Sequence, residues 1–132
     1  MYQTLDSVSS ALAPSPASIG AVALYAVVPH PMAPEEALEA LAAYAAGRGW
    51  HVPPGCAVTD SGPLGDAEDL RPGWKRIRRA VMDRQVSGLI VPCFSHVGYH
   101  WPEWNQRRTW LLQRGQFVIA TDPTEQPACR CS

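Results

Sequence analysis

The chain has 132 residues, of which 46% are hydrophobic and 17% are charged. This length fits one domain, and the composition is that of a globular chain, which excludes a disordered one. No stretch approaches the ~20 apolar residues of a membrane span, and no basic segment followed by an apolar run marks a secretory signal. We therefore predict one cytoplasmic domain that does not contact a membrane.

The net charge of -1 conceals an asymmetry between the two halves of the chain. Residues 1–70 carry eight acids and one base, Arg48, whereas residues 71–132 carry ten bases and four acids. The second half therefore has a local positive field. That field indicates either a solvated basic helix or a surface that contacts phosphate.

The two ends of the chain differ in composition from its middle. Residues 1–19 are rich in Ser, Ala and Pro and predict a flexible leader. Residues 123–132 predict a disordered tail, which leaves residues 20–122 as the folded domain. The cysteines contain no CxxC pair, and we expect them to be reduced and to hold no metal. They are Cys56, Cys93, Cys129 and Cys131.

Four short apolar runs predict strands. The run over residues 21–28 is continuous, as in a strand buried on both faces of a parallel sheet. A second, shorter strand is predicted near residues 56–59, a third at 89–91 and a fourth at 116–120.

Three segments between these runs predict helices. Pro34 begins the first, which ends near Gly47 and Gly49. The second covers about residues 73–84 and the third begins at Pro102. The predicted inward residues are Leu38, Leu41, Ala42 and Ala45 on the first helix, Trp74, Ile77 and Val81 on the second, and Trp104, Arg108, Leu111 and Leu112 on the third, with Arg107 outside.

The alternation of strands and helices predicts the fold class. It gives an α/β fold in three layers, with a mainly parallel sheet of four to five strands and helices on both faces. In such sheets ligands bind at the carboxyl ends of the strands. A functional site is therefore expected in the loops that follow the strands.

Several segments, in the same order and spacing, resemble the catalytic domain of serine recombinases (resolvases and invertases). The resemblance covers about three-quarters of the chain and implies the resolvase-like fold. Residues 24–29 (LYAVVP) match the family's Tyr-Ala-Arg-Val-Ser strand, and residues 70–74 (LRPGW) match its Arg-Pro-Gly-Leu. The other matching segments are residues 41–50 (LAAYAAGRGW), 61–62 (SG), 88–91 (GLIV) with Gly98, and 111–119 (LLQRGQFVI).

The sequence departs from the family at the positions whose residues catalyse DNA cleavage. The family's nucleophilic serine is replaced by Pro29, and the arginine two residues earlier by Val27. The family's Asp-Arg-Leu-Gly-Arg becomes residues 95–99 (SHVGY). Only Arg71 stands where an active-site arginine belongs. Covalent cleavage of a phosphodiester requires a nucleophile and groups that stabilise the developing charge, so the family reaction is not expected here.

Three residues at the predicted strand ends are weak candidates for a catalytic role. Arg71 could bind an anion or pair with Asp60 or Asp69. Ser61 could act as a nucleophile or simply stabilise a turn. His96 could bind a substrate or, together with Cys93 and His100, a metal, although we predict neither a metal site nor a cofactor.

Two surfaces are predicted to bind partners. The basic residues would contact duplex DNA through the phosphate backbone, or only face water. The tryptophans would form an interface with a second copy, since the family dimerises, or with another protein. The basic residues are Lys75, Arg76, Arg78, Arg79 and Arg107, and the tryptophans are Trp101, Trp104 and Trp110.

The sequence therefore predicts a catalytically inactive serine-recombinase-like domain. It would act by protein or DNA contacts in recombination, plasmid maintenance or DNA maintenance. One alternative is an enzyme that uses Arg71, Ser61 and His96 on a small anionic substrate. Another is a recombinase subunit whose active residues come from a partner chain.

Overall fold

A computed structural model of the chain describes residues 20–63 and 70–122. The predicted leader (1–19) and tail (123–132) lie outside this range. The strands are β1 (Val22–Val27), β2 (Ala57–Asp60), β3 (Gly88–Val91) and β4 (Phe117–Ala120), and the helices are α1 (Pro34–Gly47), α2 (Pro72–Met82) and α3 (Trp101–Gln113). A short 3-10 helix, Phe94–His96, lies between β3 and α3.

The four strands form one parallel sheet in the order β2-β1-β3-β4. Leu24 of β1 pairs with Ala57 of β2 on one side and with Ile90 of β3 on the other. The α/β fold with a parallel sheet is therefore confirmed. None of the helices in the described ranges is long and apolar enough to cross a membrane.

Alternation along β1 divides the core between the two faces of the sheet. Residues 22, 24 and 26 pack with Leu41 and Ala45 of α1. Residues 23, 25 and 27 pack with the buried stripe of α2 and with Leu111 of α3. Because β1 contributes to both clusters and is buried along its whole length, it has no polar face.

Proline stands in the first turn of all three helices, where its missing N–H would have had no intrahelical partner. The predicted inward stripe of α2 is confirmed, with Ala80 added to it. On α1 the prediction was wrong for Ala42, which is exposed, whereas Leu41 and Ala45 are buried.

The inward face of α3 differs from the prediction. Trp104, Arg107 and Leu111 lie on one side of the helix, at the spacing of a single face, and Arg108 and Leu112 are exposed. Arg107 donates a hydrogen bond to the carbonyl of Val97, pairs with Glu103 at 3.3 Å and lies over the Trp74 ring. An arginine can lie inward when its stem packs on apolar surface and its head is bonded. The hydrophobic pattern of the helix reveals neither the packing of Arg107 nor its hydrogen bond.

Replacing Arg107 with Ala should therefore cost far more stability than replacing its neighbour Arg108. We expect Arg107→Ala to lower the free energy of unfolding by about 1.5–3 kcal/mol, because a charged hydrogen bond inside the fold is lost. Arg108→Ala, the matched control, should stay within about 0.5 kcal/mol of the wild type. Urea unfolding measures both, and equal losses would contradict the inward position of Arg107.

Candidate functional site

The strand order places the topological switch point of the sheet at the carboxyl ends of β1 and β3. The connection after β1 runs through α1 on one face of the sheet, and the connection after β3 runs through α3 on the other. In open parallel sheets, ligands bind where the connections of two neighbouring strands diverge in this way. The residues at this edge are therefore the first candidates for a functional site.

The protein's own side chains occupy this edge. His96, in the 3-10 helix after β3, accepts a hydrogen bond at Nδ1 from the backbone N–H of Val27 at 2.9 Å. The guanidinium of Arg71 donates to the carbonyl of His96 at 3.1 Å. Arg71 is only 1% exposed. Two of the three predicted catalytic candidates thus meet, in a part-buried contact that runs through the backbone carbonyl of His96.

Asp60 is the centre of a second buried set of contacts at the end of β2. Its carboxylate accepts hydrogen bonds from the Tyr25 hydroxyl at 2.6 Å and from the backbone N–H groups of Gly73 and Trp74 at 2.7 and 2.9 Å. The two N–H groups belong to the first turn of α2, where a carboxylate is favoured by the helix dipole. Asp60 therefore joins β1, β2 and the start of α2.

This arrangement explains the Arg-Pro-Gly segment at the start of α2. A Cβ atom on Gly73 would lie 2.9 Å from both the Thr59 carbonyl and an oxygen of Asp60. Pro72 begins the helix, and Arg71 turns back into the fold toward His96. Each residue of the segment has a structural role in this chain, without reference to a substrate.

Two buried groups have raised pKa values. Burial raises the pKa of Tyr25 far above its ordinary value of 10.0, and the hydrogen bond and negative charge of Asp60 add to the shift, while Arg71 partly opposes it. Burial also raises the pKa of the Cys56 thiol, against a smaller opposing effect of Arg76. Tyr25 is therefore held as a neutral hydrogen-bond donor.

The remaining candidates at the strand ends do not join this cluster of contacts. Ser61 follows β2 directly and is exposed. Pro29, which the sequence resemblance aligns with the family's nucleophile, is exposed after β1 and carries no hydroxyl. Among the residues that the structure describes, no group of three His, Cys, Asp or Glu side chains could hold a metal ion.

The predicted basic surface is present on α2. Lys75, Arg76, Arg78 and Arg79 are all exposed, and the helix contains no acid. Arg76 donates to the carbonyl of Gly55 at 2.7 Å. Arg79 has an ion pair with Asp83 at 3.6 Å, in which both side chains are mostly exposed. Arg107, the fifth predicted member, lies inward as described above.

The three predicted interface tryptophans have different surroundings. Trp101 is 42% exposed. Trp104 is half-buried and stacks on Phe94 at 4.7 Å between ring centroids. Trp110 is half-buried, with Arg78 and Arg114 over its ring at 5.3 and 4.4 Å. Of the three, only Trp101 is exposed.

Sequence reasoning missed the roles of Tyr25 and Asp60. Tyr25 lies inside an apolar run and looked like an ordinary core residue, although a buried tyrosine needs a partner for its hydroxyl. Asp60 ends a strand at the sheet's functional edge and stands 13 residues before Gly73. An acid in that position, followed by a proline-initiated helix, is the signal that could have identified it.

Comparison with solved structures shows a likeness to the N-terminal catalytic domain of TP901-1 integrase. The TM-score is 0.66 at 20% identity, over 76% of this chain and 75% of that one. The fold is therefore that of a serine-recombinase catalytic domain, as the sequence resemblance implied, and at this identity the likeness extends to the fold alone. No family model matches the chain. No curated protein matches it.

The Asp60 contacts should dominate the stability of this region. We expect Asp60→Asn to lower the free energy of unfolding by about 2–4 kcal/mol, because charge-assisted hydrogen bonds are weakened and a buried group is left poorly matched. Asp83→Asn makes the same chemical change at an exposed ion pair and should cost less than about 0.5 kcal/mol. Urea unfolding at neutral pH compares them. Similar losses in the two variants would show that Asp60 is not the anchor described here.

The raised pKa of Tyr25 predicts a loss of stability at alkaline pH. The folded state holds the phenolic proton more tightly than the unfolded state, so the stabilisation is complete below the ordinary pKa of 10.0 and declines as pH rises above it. One such group adds up to about 1.4 kcal/mol per pH unit to the decline. Tyr25→Phe should be less stable at neutral pH, but its stability should fall less steeply above about pH 10.

Tyr99→Phe, at an exposed ring, is the control and should keep the wild-type pH dependence. Unfolding free energies measured at several pH values between about 9 and 12 give the two slopes. A slope for Tyr25→Phe as steep as that of the wild type would contradict the assignment.

Proposed function

We propose that this chain is a non-cleaving serine-recombinase-like domain that binds the backbone of duplex DNA through α2. The absence of cleavage rests on the burial of Arg71, and the DNA contact rests on the exposed cations of α2. This arginine stands where the resemblance places a catalytic guanidinium, yet it is 1% exposed and bonded to the carbonyl of His96. A guanidinium buried to this extent is not open to a phosphate.

The chemistry of strand cleavage supports the absence of the family reaction. Cleavage through a phospho-enzyme intermediate needs a nucleophile at the strand end, where Pro29 stands. It also needs preorganised positive charge on the transferring phosphate, and loss of one such group typically costs about 10²–10³ in rate. In the loop after β3 the family's arginines are replaced by His96 and Tyr99.

The distribution of charge supports DNA contact on one face of the sheet. The helix α1, on the first face, carries Glu35, Glu36 and Glu39. The opposite face carries α2, whose only charged residues are the four exposed cations. A polyanion would therefore be attracted to the α2 side and repelled from the α1 side.

A DNA contact of this kind is sequence-independent because it neutralises phosphates. It suits an accessory role in recombination, plasmid maintenance or DNA maintenance, in which another protein selects the site. We propose that Trp101, the exposed tryptophan at the start of α3, contacts that protein or a second copy of this chain. A cytoplasmic location accords with such a role.

Salt-dependent binding to duplex DNA tests the proposal. The logarithm of the binding constant should fall linearly with the logarithm of salt concentration, with a slope of about -0.9 per phosphate neutralised. Lys75→Gln/Arg79→Gln should weaken binding to all sequences alike and reduce the magnitude of the slope by about 2. Fluorescence anisotropy of a labelled duplex at several salt concentrations measures both effects.

A matched control separates the α2 surface from net charge. Ala43→Glu/Ala46→Glu changes the net charge by the same amount on exposed positions of α1, at the opposite face of the sheet. It should leave the slope unchanged. An equal effect of both variants would show that binding depends on the net charge of the protein and not on the α2 surface. Absence of binding by the wild type at low salt would overturn the DNA-binding role.

A further inference from the structure

A groove of about 600 Å³ lies at the opposite edge of the sheet from the site described above. It runs between the carboxyl-terminal ends of α2 and α3 and the amino-terminal ends of β3 and β4. Two large apolar side chains line it and remain exposed, Met82 at 58% and Leu112 at 49%. Apolar exposure of this kind in a concave surface is typical of a place where another segment docks.

The groove also contains an unsatisfied acceptor. Gln116 lines it and is buried, and its Nε2 donates to the carbonyl of Val86 at 2.8 Å. Its Oε1 is buried without a hydrogen-bond partner. A buried acceptor left in this state is costly. An occupant that brings an N–H or O–H donor together with apolar side chains would satisfy both features.

The chain enters the sheet beside this groove. Ser87 lines the groove, and both its backbone N–H and its hydroxyl donate to the carbonyl of Ala21, at 2.8 and 3.1 Å. Residues 1–19 therefore join the domain next to the groove, just before Gly20. From β1 to β4 is two strand spacings, or about 10 Å, which about three extended residues can bridge.

The sequence of residues 1–19, here called the leader segment, matches the groove. Its larger apolar residues are Met1, Tyr2, Leu5, Val8, Leu12 and Ile19. Tyr2, Leu5, Val8 and Leu12 stand at spacings of three and four, which is typical of one face of a helix. Asp6 is its one charged side chain, and the groove is lined by two cations, Arg84 and Arg114.

We propose that the leader segment docks in this groove of its own chain, with Leu5, Val8 and Leu12 on Met82 and Leu112. A polar group of the segment then donates to Oε1 of Gln116. The interaction covers the apolar surface between α2 and α3 and does not involve the exposed cations of α2. It stands or falls independently of DNA binding.

The methionine methyl groups provide a direct test. The chain contains three methionines, Met1, Met32 and Met82. Met82 lies in the groove, whereas Met32 follows β1 at the other edge of the sheet and is 66% exposed. Methionine labelled with ¹³C at the methyl group thus gives a reporter, Met82, and an internal control, Met32, in a single NMR spectrum, while Met1 gives a third resonance from the leader segment.

Deletion of residues 2–18 should shift the Met82 methyl resonance toward the position of a solvent-exposed methionine and leave Met32 unchanged. Leu5→Asp/Val8→Asp should produce the same shift in the full-length chain. This variant abolishes docking while the leader segment is still present, so the shift cannot result from the deletion itself. A peptide of residues 1–18 added to the truncated protein should restore the original resonance.

Two results would overturn the proposal. One is a Met82 resonance that is the same in the full-length and truncated proteins. The other is a Met82 resonance in the full-length protein that moves on dilution, because this would show that a second copy, not the same chain, occupies the groove. Each is read without DNA, so the outcome is distinct from that of the salt-dependence experiment.

Discussion

The buried carboxylate of Asp60 is the interaction on which the rest of the molecule depends. It joins the hydroxyl of Tyr25 on the central strand to the first turn of α2. Because the start of α2 is fixed in this way, Arg71 turns inward and the helix presents its apolar stripe to the sheet. The same orientation directs Lys75, Arg76, Arg78 and Arg79 outward. The contacts of Asp60 thus fix both the inward turn of Arg71 at the strand ends and the outward direction of the four cations on α2.

The carboxyl-terminal edge of the sheet, where ligands usually bind in this fold class, is occupied by the protein's own side chains. At the divergence point between β1 and β3, His96 accepts the N–H of Val27, and its carbonyl is held by Arg71. These contacts satisfy backbone groups that a ligand would otherwise meet. Under the proposed function, a polyanion would instead contact the exposed cations of α2, where the charges are solvated and the interaction would be screened by salt.

Much of the fold could be predicted because it depends on local patterns. Apolar runs marked the four strands, prolines marked the helix starts, and the stripe of Trp74, Ile77 and Val81 gave the face of α2. The errors arose on helices where the pattern allows more than one inward face. The prediction for α3 placed Arg108 inside and Arg107 outside, whereas the guanidinium of Arg107 lies over the Trp74 ring and Arg108 is exposed. The bond from Val27 to His96 spans 69 residues, and no local pattern carries that information.

Titration of the ¹⁵N-labelled protein with a short duplex DNA tests the central claim most directly. The backbone N–H of Val27 reports on the strand-end contact with His96, and the amides of Lys75, Arg76 and Arg79 report on α2. The account predicts salt-sensitive shifts along α2 while the Val27 amide keeps its resonance. A large shift of Val27, with α2 unaffected, would show that DNA enters the strand-end crevice and would contradict the account.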